Sequence, residues 1–210
     1  MPTGTAAAQG AVACETVQTI INIAATAEAL AVTALGGALA YAQQGTLALN
    51  AEQQQFVAAA RFAEQQHFAY LKAAGAQPLT LDFTLPDTKI VTDVPTFLTT
   101  VIGLEEAFIA AYLAGAQEFA ILGQPDLVRV ALQIGGIEAE HRAHARFYAA
   151  GAGVVGGPPN NLAFEQAMFT SVGAAAAALQ QAGWIGGSGM KLSYPGPGDI
   201  TNPGVKNLTP

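Results

Sequence analysis

The sequence predicts an all-α fold: a bundle of four long helices with one long crossover between the second and third, then a fifth helix and a Gly/Pro-rich arm. Three observations carry this. Four long segments have apolar residues at three- and four-residue spacing and are bounded by Asn, Asp, Gly or Pro. The connection over residues 76–93 is far longer than the roughly two to eight residues of a tight helix hairpin. A glutamate stands near the middle of each of the four segments: Glu28, Glu64, Glu105 and Glu138.

The first helix is read over residues 15–43, after a small-residue lead-in over 1–14. It is rich in Ala, Leu and Ile, and Glu28 is its only charge after Thr16. A membrane span is disfavoured, because the stretch is largely Ala and Thr and a mid-bilayer carboxylate costs roughly 2.5–3.5 kcal/mol. Asn50, with Gln53 three residues on, gives a capping box for the second helix, which runs to about Ala74 and stops at Gly75. Residues 76–93 contain Pro78 and Pro86. At about 3.3 Å per extended residue they out-reach the bundle, so they are read as a return to its opposite end that leaves the second and third helices parallel. Asp93 caps the third helix, with Pro95 in its first turn, and Gly123 follows its end. Pro125 opens the fourth, which ends near Ala150. Gly156-Gly157-Pro158-Pro159 breaks the chain, and a fifth helix is predicted from Asn161 to Ala182. The domain is thus drawn over 15–182 and the arm over 183–210, with Trp184 as the arm's anchor.

Composition narrows the function. The chain has 210 residues, enough for one domain with a real core. It is 51% hydrophobic and 11% charged, against about 25% charged in an ordinary soluble domain, so much of every helix is buried in the protomer or against partners. A net charge of −7, with only eight basic residues, argues against a nucleic-acid partner. The single cysteine, Cys14, excludes an intrachain disulfide and a thiolate metal site. No basic region followed by an apolar core marks a signal peptide. The expected compartment is cytoplasmic if this is the whole chain and exported if a leader has been removed.

The chemistry lies in Glu64-Gln-Gln-His67 and Glu138-Ala-Glu-His141. A carboxylate and an imidazole three residues apart share one helix face, about 60° and one turn apart. A lone Glu-x-x-His is common on a solvated face. Two copies, with Glu28 and Glu105 at the same level of the other two helices, are a different matter. On the third helix Glu105 shares the core stripe with Leu98, Val101, Phe108, Tyr112 and Phe119, whereas Glu106 falls on the neighbouring stripe. The order is repeated: Glu28 then Glu64-x-x-His67, Glu105 then Glu138-x-x-His141. Di-iron and di-manganese bundles use one Glu from each of two helices and Glu-x-x-His from each of the other two. Four buried carboxylates without counter-charge are very costly, and two divalent ions would balance them. Oxygen and imidazole donors without thiolate suit iron or manganese. Tyr112, two turns beyond Glu105, is read as core, with a hydrogen bond to a ligand or a redox role as alternatives. His144 is read as a partly exposed helix histidine, with a contact behind the ligands as the alternative. Arg142 and Arg146 are expected to pair with nearby acids such as Glu140.

Glu64-Gln-Gln-His67-Phe-Ala-Tyr-Leu, Gly103-Leu-Glu105-Glu-Ala, Ala111-Tyr112-Leu-Ala-Gly and Ile137-Glu138-Ala-Glu-His141 resemble the ferritin-like superfamily, and within it the bacterial family often labelled desiccation-related. The resemblance covers about residues 15–150. It implies the ferritin-like connectivity, two Fe or Mn ions, and the ligand set Glu28, Glu64, His67, Glu105, Glu138 and His141. The expected function is redox chemistry on O2 or peroxide in stress protection, by a protein that self-associates. The alternatives are manganese-catalase-like peroxide dismutation and a non-enzymatic stress, desiccation or assembly protein. An iron-storing cage is disfavoured by the low surface charge and the arm.

Overall fold

Local capping sets the four long helices. In α1 (Val17–Gln43) the Thr16 hydroxyl accepts from the Thr19 amide at 3.1 Å. In α2 (Ala51–Ala73) Asn50 and Gln53 cap each other's backbone amides, both at 2.9 Å, and the helix stops before Gly75, whose φ of +94° suits a residue without a Cβ. In α3 (Val94–Ile121) Asp93 accepts from the amide and the hydroxyl of Thr96, at 2.9 and 2.6 Å. Pro125 opens α4 (Pro125–Gly151), where a missing N–H costs nothing. These bounds lie within two residues of the predicted ones. The structure, a computed structural model, describes residues 14–198 and 200–210; of the predicted lead-in, all but Cys14 lies outside the described residues.

The direction of each helix follows from contacts at its ends. Gln18, at the start of α1, donates to the Gly75 carbonyl at the end of α2, so these two are antiparallel. The crossover then leaves that end. The Gln77 amide donates to Asn22 and the Leu79 amide to Thr26. By Leu85 the chain has reached the far end of α1, where Tyr41 donates to the sulfur of Met190, the strand partner of Leu85. The end of α3 returns to the start of α1, with the Glu15 amide donating to Glu118 at 3.1 Å. Hence α2 and α3 are parallel, joined by one long crossover, which is the ferritin-like order.

Part of the crossover is a strand. β1 (Asp82–Leu85) pairs antiparallel with β2 (Met190–Ser193) of the arm, Asp82 opposite Ser193 and Leu85 opposite Met190. The arm therefore lies on its own bundle. Trp184 is buried, Tyr194 packs on Phe68 with ring centroids 4.8 Å apart, and its hydroxyl donates to Gln65 at 2.6 Å.

The fifth helix is shorter than the sequence suggests. α5 spans Val172–Gln181, and 161–171 is irregular. Three acceptors fix the start: Ser171 takes the Ala174 amide, buried Glu118 takes that of Val172 at 2.9 Å, and Glu15 takes that of Gly173. Carboxylates there also meet the positive end of the helix dipole. Upstream, Arg142 reaches Asn161 and Glu165, and Phe164 is 89% exposed, so no apolar face favours a longer helix.

α1 and α3 are each long and apolar enough to cross a membrane. Their apolar windows are 61% and 50% buried inside the bundle, the packing of core helices, and each carries a buried glutamate at the centre.

Candidate metal centre

All six side chains singled out by spacing meet in one layer at mid-bundle. Glu28 comes from α1, Glu64 and His67 from α2, Glu105 from α3, Glu138 and His141 from α4. The four carboxylates and His141 are buried, and the His67 side chain is 13% exposed. Their donor atoms fall into two groups, Glu28, Glu64, His67 and Glu138, and Glu64, Glu105, Glu138 and His141, with the atoms of each group within 4.8 Å of one another.

Glu64 and Glu138 belong to both groups, and they do so oxygen by oxygen. Glu64 turns Oε2 to His67 Nδ1 at 3.3 Å and Oε1 to His141 Nδ1 at 2.9 Å. Glu138 turns Oε1 to His67 Nδ1 at 3.4 Å and Oε2 to His141 Nδ1 at 3.4 Å. The remaining two are terminal: Glu28 Oε2 is 3.4 Å from His67 Nδ1, and Glu105 Oε1 is 3.8 Å from His141 Nδ1. The shared positions are thus the glutamates of the two Glu-x-x-His pairs, and the α3 glutamate is not shared. Glu106 points away, 42% exposed, toward Arg142.

Burial sets the electrostatics. It raises Glu28 to about 8, with the charge of Glu64 adding to the effect. Burial likewise lifts Glu105 well above the carboxylate range, helped by Glu138. Burial alone would raise Glu64 and Glu138 too, but the two imidazoles beside each, at 2.9–3.4 Å, outweigh it and hold each below its usual value. Burial disfavours charge on His67 and His141, yet the surrounding carboxylates hold both well above 6.5. Within this one layer protons are favoured on Glu28, Glu105 and both imidazoles and disfavoured on Glu64 and Glu138.

That layer is poorly satisfied by its own hydrogen bonds. Glu28 Oε2, Glu64 Oε1, Glu105 Oε2, both oxygens of Glu138 and His141 Nδ1 are buried without a hydrogen bond of good geometry. A buried polar atom left so costs roughly 1–3 kcal/mol, and six pointing into one space is the pattern of a coordination shell. The donor set, carboxylate oxygen and imidazole nitrogen without thiolate, fits hard or borderline divalent ions.

Between α2 and α4 a cleft of about 800 Å3 opens onto His67 and His141, with Gln66, Gln133 and Glu140 on its walls and residues 205–210 across it. A family model for the ferritin-like domain matches residues 16–151. The chain belongs to the ferritin-like domain family. Comparisons with curated proteins and with solved structures gave no match. The matched span holds all six residues of the layer, and α5 and the arm are additions to the ferritin-like domain.

Tyr112 and His144 part company. Tyr112 donates its hydroxyl to Glu28 Oε1, so it is more than core; burial, then the charge of Glu28, keep the phenol protonated. His144 is exposed on the cleft wall and stacks on Phe56 at 5.4 Å, away from the layer. The arginines do not pair with Glu140, which lies on the cleft side of α4. Arg142 meets Glu165 at 3.2 Å and Glu106 at 3.7 Å, and Arg146 donates to the Gly156 carbonyl. Both are buried beneath the segment after α4, which supplies Glu165, Asn161 and the Gly156 carbonyl, while α3 supplies Glu106. Glu118, the third glutamate of α3, is buried and caps α5.

Proposed function

We propose that this ferritin-like domain holds two divalent ions, iron or manganese, and carries out redox chemistry on O2 or peroxide. The observation that carries the reading is the oxygen-by-oxygen sharing of Glu64 and Glu138 between the two histidines, which suits a pair of ions and not one. Glu28 and His67 would complete one shell, Glu105 and His141 the other. Four carboxylates would neutralise two divalent charges in a layer where burial makes uncompensated charge costly. When bound, the ions supply one-electron redox steps and Lewis acidity. The protein's part is to fix six donors on four rigid helices, to keep a proton on Tyr112 Oη against Glu28, and to limit water to the α2–α4 cleft.

Manganese-catalase-like peroxide dismutation is the second reading, favoured by Gln66, Gln133 and Glu140 on the walls of that cleft, which offer hydrogen-bond partners to a polar oxidant. A stress or desiccation role without turnover, in a self-associating scaffold, is the third; exposed Leu132 and Phe147 on α4 are surfaces for it. Elemental analysis of purified protein, followed by O2 and peroxide consumption after Fe or Mn loading, separates them. Two ions per chain with turnover supports the first two. Two ions without turnover leaves the scaffold, and no bound metal ends the dinuclear reading.

A further inference from the structure

Next to the six-residue layer the bundle leaves a small apolar pocket. It has a volume of about 50 Å3 and lies among α1, α2, α3, α4 and α5. Its walls come from residues preceding Glu28 on α1 (Ala24, Ala27), following His67 on α2 (Tyr70, Leu71), following Glu105 on α3 (Phe108, Ala111, Tyr112) and preceding Glu138 on α4 (Ala131, Ile134). Given the helix directions, all of these lie toward the α1 N-terminal end. Val172, Ala175 and Leu179 of α5 close the far side.

A single water needs roughly 10–15 Å3 and two to four polar partners. The space suffices for more than one, but the partners are missing. The wall is aliphatic and aromatic carbon apart from two phenols, and that of Tyr112 is committed to Glu28. Cavities of this kind stay empty of water and take small apolar guests. This one is too small for an acyl chain, and it touches the centre through Tyr112.

We propose that this cavity is a binding site for a small apolar gas, dioxygen in the working protein, held one helix turn from the metal centre on the Tyr112 side. The oxygen assignment rests on the dinuclear reading above; the site for an apolar gas does not. Peroxide, which needs hydrogen-bond partners, is unsuited to these walls and finds such partners only in the cleft, at Gln66, Gln133 and Glu140. The two spaces are neighbours, since Tyr70 and Ile134 line both. Both pockets thus adjoin at these two side chains, whose rotation would open a path from the cleft for an apolar molecule.

The test uses xenon alone as probe, in pressurised crystals of the full metal-loaded chain. Xenon is expected between Ala27, Phe108 and Ala131. Ala111→Leu, and independently Ala176→Leu from the α5 side, should abolish it while bound metal stays unchanged. In the same variants the half-saturating O2 concentration should rise severalfold, with peroxide consumption within twofold of wild type. Ordered water in the cavity, no xenon there, or unaltered O2 dependence once it is filled would overturn the proposal. Xenon in the cavity of a protein that consumes neither oxidant would retain the gas site and remove the redox function.

Discussion

Glu28 and His67 on one side of the centre answer Glu105 and His141 on the other, with Glu64 and Glu138 between. In sequence the two sides are close copies, a lone glutamate and then Glu-x-x-His. They differ seven residues after the lone glutamate. At that offset from Glu105 stands Tyr112, whose hydroxyl crosses to Glu28; at the same offset from Glu28 stands Leu35, which has no donor. One terminal carboxylate is therefore held by a phenol and borders the dry cavity. A symmetric set of side chains has been given an asymmetric setting, so two ions bound as proposed should differ in affinity.

The largest effect should come from removing what both sides share. Glu138→Ala should take bound metal from two ions per chain to near none and abolish turnover, with helicity kept, whereas Glu106→Ala should change neither. Elemental analysis and circular dichroism decide this; equal metal in Glu138→Ala and wild type would sink the site. The metal-free protein should also unfold more easily, since binding to the native state at a hundredfold excess over Kd stabilises by about 2.7 kcal/mol. Next, Glu28→Gln and Glu105→Gln should each leave about one ion, and a loss of both from either would deny the two-sided arrangement.

Acidity comes third. Glu28 is raised to about 8 and must lose its proton to bind. Loading near neutral pH should release protons, and affinity for the Glu28-side ion should climb about tenfold per pH unit per displaced proton up to about pH 8, then level. For the metal-free fold the sign is opposite. A carboxyl raised from 4.5 favours the folded state while protonated, and so do imidazoles raised above 6.5. Chelated protein should therefore lose stability as pH rises from about 4.5 through 8, in thermal melts across pH; Glu28→Gln should flatten part of that slope.

Tyr112→Phe should weaken only the Glu28-side ion, by roughly 10–100-fold, as loss of a hydrogen bond to a ligand usually does. Leu35→Met, at the corresponding position, should leave both isotherms unchanged. The smallest effect lies outside the centre: Tyr194→Phe removes the hydrogen bond to Gln65 and should cost about 1 kcal/mol in denaturant melts without changing metal content.

The bundle and the meeting of the six side chains in one layer were legible because they obey local rules. A capping box, a glycine at a helix end and an i, i+3 pair are decided within a turn of chain, and a lone charge in an apolar helix advertises itself. Which carboxylates are shared was not legible, because it depends on where four helices touch. The use of Glu118 was not legible either, since its partners, the amides of Glu15 and Val172, are distant in sequence. The strands escaped notice because Asp82–Leu85 and Met190–Ser193 are four residues each, without a turn between them, and neither shows a period long enough to read.

That pairing has a consequence for the order of assembly. Asp82 meets Ser193 across 111 residues of chain, so β1 leaves the ribosome long before its partner exists. Contacts this remote repay loop closure only after the intervening chain is in place, which makes the ribbon the last piece to form and the cheapest to open. Until then the crossover shows a bare strand edge, a template for pairing with another chain. A nascent chain stalled before residue 190 would leave that edge bare, and pairing with β2 is what covers it.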